Sequence, residues 1–209
     1  MDILILLYED VDLLDSGGPY EVFLTASRLA VRDGQAAPFD VRTVTIDGGP
    51  VTAYGGLGLT PHGSLESIAS ASASASVLIV PGTIDLTGVL ANTAIIRSIE
   101  AFATEPDTII ASVCTGAFLL AEAGLLTDTA WTTHWDDIDQ LTETLGKDGA
   151  RRGVALVDSG DVVTAAGLSS GIAMALHLVS RLAGRELAER TARQIDYRQS
   201  AEDGVVCST

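Results

Sequence analysis

Hydrophobic positions along the chain alternate between two rhythms. Short, nearly unbroken apolar runs rich in β-branched residues occupy positions 3–7, 39–46, 77–80, 108–113, 154–157 and 162–165, each bounded by turn-forming residues, and predict strands. Between most of them the apolar residues recur at a helical period, predicting helices over 19–32, 88–102, 115–125, 136–145, 169–182 and 186–197. Pro19 suits the opening turn of the first helix. Strands that alternate with helices in this way predict an α/β fold with a mostly parallel sheet covered on both faces. The glycine-rich stretch 51–60 departs from the pattern and predicts a small hairpin or edge addition. An alternating Ala/Ser tract at 69–76 predicts a surface connection, and the polar tail from Ser200 onward is expected to fray. With no internal repeat and no dividing linker, residues 1–199 are expected to form a single domain, followed by a tail over 200–209.

Composition narrows the classes. The 209 residues are 47% apolar, enough for a sizeable core, yet no apolar run is long enough to span a bilayer. The apolar start is flanked by acids and lacks the basic region of a signal peptide, so a cytoplasmic protein is expected. Two cysteines, Cys114 and Cys207, do not indicate a disulfide framework, and no spacing suggests a metal site. Asp and Glu number 28 against 12 Lys and Arg, and the net charge of −16 repels nucleic-acid backbones. Lys147 is the one lysine. Such a balance suits a protein dissolved in concentrated salt, and equally an acidic protein from an arginine-preferring genome. No dinucleotide fingerprint or phosphate loop occurs, and no cofactor is expected.

Chemistry concentrates at strand ends. In the segment SVCTGAFLLAEAGLL (112–126), Cys114 stands where an apolar strand meets a Thr-Gly step and a helix begins. Open α/β sheets collect ligands at the C-terminal ends of their strands. A helix start aimed at the sulfur is expected to favour thiolate over thiol. The alternative is that Cys114 is a small buried hydrophobe. Asp15, in LLDSGGP (13–19), is either a turn or cap acid before the helix or, held near the thiolate, a carboxyl whose raised pKa lets it donate a proton.

In VPGT (80–83), Gly82 and Thr83 are candidates for presenting backbone amides to a substrate, against an ordinary tight turn. His134, in WTTHW (131–135), is either a base or orienter for Cys114 or a satisfied polar group. His177 is expected in the core or an interface, His62 on the surface, and Ser169 as a helix N-cap.

Together LLDSGGPYEVF (13–23), VPG (80–82), the cysteine segment, TTHW (132–135) and AAGLSSGIAMALHLV (165–179) resemble the DJ-1/PfpI superfamily, in order and over nearly the whole chain. The similarity is to its isocyanide (isonitrile) hydratases and to the sensor domains of GlxA-type transcriptional regulators. That resemblance implies a flavodoxin-like three-layer sandwich of the class I glutamine amidotransferase type, usually a homodimer, with a small-molecule substrate and no cofactor. It implies Cys114 as nucleophile, Asp15 as acid, and Thr115 beside the sulfur. Three departures matter. Thr115 stands where the protease-like branch carries histidine; Thr83 replaces the second glycine of the usual Pro-Gly-Gly; Asp15 stands where glyoxalase-like members carry glutamate. The chain shows no basic helix-turn-helix after the domain. The expected function is a hydratase turning isocyanide into N-formamide; the alternatives are a ligand-sensing domain without turnover or an amidase- or glyoxalase-like protective protein.

Overall fold

A computed structural model describes residues 1–71, 76–146, 148–198 and 204–207. In chain order its elements are β1 (Asp2–Leu6), α1 (Leu13–Arg32), β2 (Asp40–Thr45), β3 (Val51–Thr52), β4 (Gly58–Leu59), β5 (Gly63–Ser64), α2 (Leu65–Ala71), β6 (Ser76–Val80), α3 (Leu86–Ala91), α4 (Thr93–Ala103), β7 (Thr108–Val113), α5 (Gly116–Glu122), α6 (Ile138–Leu145), β8 (Leu156–Asp158), β9 (Val162–Ala165), α7 (Ser170–Ala183), α8 (Arg185–Gln194) and β10 (Val205–Cys207). Eight strands form one sheet in the order β10-β8-β9-β7-β6-β1-β2-β5. All its pairings are parallel except that of β8 with β9. Ile3 of β1 lies between Val41 of β2 and Val77 of β6, fixing the central register.

The central strands are buried on both faces, as their unbroken apolar runs require: Ile3–Leu6 and Val77–Val80 have no exposed surface. Each such side chain contributes roughly 1.5–3 kcal/mol of hydrophobic stabilisation. Helices α1, α7 and α8 pack on one another, and α2, α3, α4 and α5 form a second packed group, giving helix, sheet and helix layers.

Local chemistry moved several boundaries. Helix α1 opens at Leu13 because Asp12 caps it, its Oδ1 accepting from the Leu14 N–H at 3.0 Å. Gly17, Gly18 and Pro19 therefore lie inside the helix, not in a turn before it. Burial of Gly18 and Pro19 outweighs their poor propensity: Gly18 would bring a Cβ within 3.1 Å of Ile172 of α7, so its bare backbone lets the two helices approach. The helix expected over 88–102 is broken at Asn92, whose side chain accepts from the Ala94 N–H at 3.2 Å and caps α4. Ser169 precedes α7 but makes no side-chain capping bond, against expectation.

Residues 51–60 contain the expected hairpin, β3 against β4. The Ala/Ser tract enters α2 as far as Ala71 and rejoins the sheet at Ser76; residues 72–75 lie outside the described residues. Within the tail expected to fray, β10 pairs with β8, while 200–203 and 208–209 lie outside the described residues.

Two glycines separate packing from propensity. A Cβ on Gly116 would sit 2.2 Å from the Val80 carbonyl oxygen, whereas one on Gly17, exposed within α1, meets nothing within 4 Å. Gly116→Ala is expected to cost about 3 kcal/mol or more. Gly17→Ala should instead stabilise by ~0.5–1 kcal/mol. Urea denaturation midpoints check both, and the reverse order would contradict the packing described.

Candidate active site

The C-terminal ends of β1, β6, β7 and β9 meet at one point of the sheet, on either side of the position where the chain reverses its order of strand addition. β7 ends at Val113, and Cys114 follows with φ of 56°, a left-handed conformation that a non-glycine residue rarely adopts. Its backbone is held from both sides. The Cys114 N–H donates to the Ala166 carbonyl at 2.8 Å beyond β9, and the Cys114 carbonyl accepts from Thr133 Oγ1 at 2.7 Å. Gly116 allows α5 to start directly against the Val80 and Pro81 carbonyls. The elbow is thus fixed by backbone and hydroxyl contacts that do not involve the sulfur.

Asp15 faces that sulfur from the first turn of α1. It has no exposed surface, and its Oδ2 accepts from the Gly82 N–H at 2.9 Å. Oδ1 is buried without a hydrogen-bond partner. Gly82 is required here by proximity: a Cβ would lie 2.6 Å from Thr115 Oγ1 and 2.8 Å from Asp15 Oδ2. Burial pushes Asp15 up to about 7; the Gly82 N–H pulls it back, the Asp12 charge adds to the rise, and contact with the Cys114 side chain lowers it. Burial likewise pushes Cys114 up to about 12, reinforced by the Asp15 charge and opposed by the Thr115 N–H. Asp137 and Asp12 raise it further.

The expected thiolate is therefore not the resting form. Helix α5 has seven residues, and its amides do not outweigh desolvation together with a carboxylate close by. At neutral pH the pair instead carries a thiol beside a carboxyl group balanced between its two forms, and it titrates as a unit.

Of the other expected site residues, Gly82 and Thr83 do not present free amides to a substrate. The Gly82 N–H is spent on Asp15, and the Thr83 N–H donates to Thr115 Oγ1 at 2.9 Å. Thr115 Oγ1 in turn donates to the Thr83 carbonyl at 2.8 Å, so the hydroxyl clamps the β6 turn while its backbone N–H serves the sulfur. The same turn is tied to the loop after β1: the Asp12 N–H donates to the Gly82 carbonyl at 2.9 Å, and Thr83 Oγ1 to the Asp10 carbonyl at 2.8 Å.

His134 Nδ1 lies 3.2 Å from Asp137 Oδ2, and its ring occupies the space a Cβ on Gly167 would need, 3.0 Å from Cδ2. It stands next to the elbow but engages Asp137 rather than Cys114. His177, on α7, engages the end of β8, its Nε2 2.6 Å from Asp158 Oδ2, and His62 is exposed against Thr43.

Tyr8, Thr133 and Asp137 joined the site without being singled out in the sequence. Tyr8 donates to the Pro81 carbonyl, and burial followed by the Asp15 and Cys114 charges holds its phenol well above its ordinary pKa, so it stays neutral. Its place directly after β1 is the one signal the sequence offered. Among the described residues no group of three or more His, Cys, Asp or Glu side chains gathers as a metal site. No helix among them is long and apolar enough to cross a membrane.

A sharp elbow carrying cysteine, faced by a buried acid from the first helix, coincides with a match of residues 1–181 to the DJ-1/PfpI family. The chain belongs to that family. It is 31% identical over 192 residues to the isonitrile hydratase of Pseudomonas putida, covering 92% of this chain and 76% of that protein. It is also 28% identical over 151 residues to the HTH-type transcriptional regulator CdhR of Pseudomonas aeruginosa, covering 72% of this chain but 43% of the regulator. Among solved DJ-1/PfpI-like structures, a ThiJ/PfpI family protein from Pseudomonas syringae superposes with a TM-score of 0.78 at 23% identity, over 95% of this chain and 76% of that one. Drosophila melanogaster DJ-1beta gives 0.74 at 19% identity, over 95% and 98%. The flavodoxin-like architecture is that of the family.

The buried carboxyl makes stability depend on pH. Asp15 goes from 3.8 unfolded to about 7 folded, so the folded state binds more protons between those values and stability falls as pH rises through them, by at most ~4 kcal/mol. Asp15→Asn keeps an acceptor for the Gly82 N–H and carries no charge. Its melting temperature should exceed that of the unmodified protein at pH 8, with the difference closing below pH 4; a pH-independent difference would contradict the assignment.

Proposed function

We propose that this DJ-1/PfpI protein hydrates isocyanides to N-formamides through Cys114 and Asp15, acting on a small molecule without a cofactor. The observation that carries the reading is the buried thiol–carboxyl pair, in which Asp15 reaches about 7 beside a cysteine at about 12. Such a pair exchanges one proton at neutral pH.

In the reaction, Asp15 accepts the thiol proton as the sulfur attacks the terminal isocyanide carbon. The Thr115 N–H stabilises the negative charge on sulfur during the attack. Asp15 then returns its proton to that carbon, giving a thioimidate in which carbon carries one hydrogen and is bonded to sulfur. Water adds to the thioimidate, the carbon–sulfur bond breaks, the nitrogen takes a proton, and N-formamide leaves as the thiol re-forms. Asp15 Oδ1, buried and unpartnered, is the oxygen free to handle the proton. Gly82 holds the acid in place as a positioning residue, while Thr115 clamps the β6 turn through its hydroxyl and serves the sulfur through its N–H.

The similarity to isonitrile hydratase supports this substrate class. The similarity to CdhR favours a second reading, in which the same pocket binds a ligand without turning it over.

Hydration of an aryl isocyanide, followed by ultraviolet absorbance, separates the two. Turnover should fall by at least 10³-fold in both Cys114→Ala and Asp15→Asn. The singly protonated pair being the active form, kcat/KM should rise with pH through about 7 and then level off. Saturable binding with no turnover would replace the hydratase reading with the sensor.

A further inference from the structure

Away from the cysteine, a cavity of about 310 Å³ opens between the C-terminal end of α1 and the last turns of α8, lined by Leu29, Arg32, Arg190, Arg193 and Gln194. The rise of α1 from Asp15 to Arg32 puts it about 25 Å from the acid of the candidate active site. It gathers three of the chain's 12 basic residues in a protein whose net charge is −16. Leu29 forms a buried apolar floor, and Gln194 adds an amide.

The charges there are only partly compensated. Asp33 pairs with Arg190 and lies 4.0 Å from Arg32. Among the described residues Arg193 makes no ion pair, and no other carboxylate pairs with the three. Arg32 and Arg193 sit in the last turns of their helices, where cations offset the negative end of the helix dipole. Two helix ends offset roughly one unit of charge, which leaves the cavity positive. Dipole compensation accounts for arginine at each helix end; it does not account for three arginines lining one concavity with a neutral amide and an apolar floor.

We infer that this cavity binds a small phosphorylated molecule, its phosphate dianion taken by Arg190 and Arg193 and its organic part resting on Leu29. Guanidinium forks match phosphate oxygens in pairs, and the volume is at the small end of ligand pockets. Asp33 competes with the phosphate for Arg190, so the carboxylate opposes binding. The site is independent of the hydratase reading, because none of its residues touches Cys114 or Asp15.

Isothermal titration with glycerol phosphate and with inorganic pyrophosphate, at low ionic strength in phosphate-free buffer, tests it. The intact chain should bind both saturably at one site. Arg193→Gln, which breaks no ion pair, should weaken binding at least tenfold, and Asp33→Asn should tighten it severalfold. Arg97→Gln, which removes one arginine from α4 in the other helix layer, should leave the affinity unchanged. Absence of saturable binding, equal weakening by Arg97→Gln, or no tightening in Asp33→Asn would each overturn the proposal.

Discussion

The site is organised around a carboxyl group buried without a counter-ion. Asp15 has one close donor, the Gly82 N–H, and one oxygen with none. A carboxylate so placed is expensive to ionise, and the environment has to tolerate both its forms. That single contact dictates the surroundings: glycine at 82, because any Cβ would collide with the acid and with Thr115; a loop after β1 tied by Asp10 and Asp12 to the β6 turn; a hydroxyl clamp at Thr115. Loosening any of these would move the donor and let water reach the acid, returning its pKa towards 3.8.

The elbow at Cys114 obeys a second constraint of the same kind. A left-handed non-glycine residue costs on the order of 1–3 kcal/mol and persists only where its neighbours overdetermine it. Here the β9 end, through the Ala166 carbonyl, and Thr133 hold both polar groups of the Cys114 backbone, and Gly116 removes the atom that would block the turn. Stability is given up at Cys114 and at Asp15 together. The core of doubly buried strands behind them, with no exposed surface on Ile3–Leu6 or Val77–Val80, offsets that loss. Electrostatics divides along the same lines: an acidic chain keeps an uncompensated carboxyl at the C-terminal ends of its central strands, while a share of its few arginines gathers at the far end of α1.

Much of this was legible in the sequence because strand burial writes itself as apolar runs. The runs at 3–7, 77–80 and 108–113 correspond to β1, β6 and β7, and the Cys-Thr-Gly step located the elbow. What the sequence hid was decided by tertiary contact. Nothing in Gly17-Gly18-Pro19 suggests a helix interior; close packing of α1 on α7 makes it one. Val205–Cys207 carries too little pattern to announce a strand, and the free edge of β8 recruits it. At the site, Asp15 read as either a cap acid or a partner of Cys114, and the structure brings the two side chains together; their protonation state depends on desolvation, which no spacing encodes. The same is true of the Gly82 and Thr83 amides, whose partners are fixed by loops distant in sequence.

The central claim is that Asp15 holds a proton near neutrality, and infrared difference spectroscopy reads it directly. Subtracting the Asp15→Asn spectrum from that of the unmodified protein across a pH titration isolates the carbonyl band of one protonated carboxyl group. A carboxyl pushed up to about 7 by burial predicts that this band persists at pH 6 and disappears with a midpoint near 7. A band already gone by pH 5, with a midpoint near 4, would show an ordinary carboxylate at Asp15 and contradict the account.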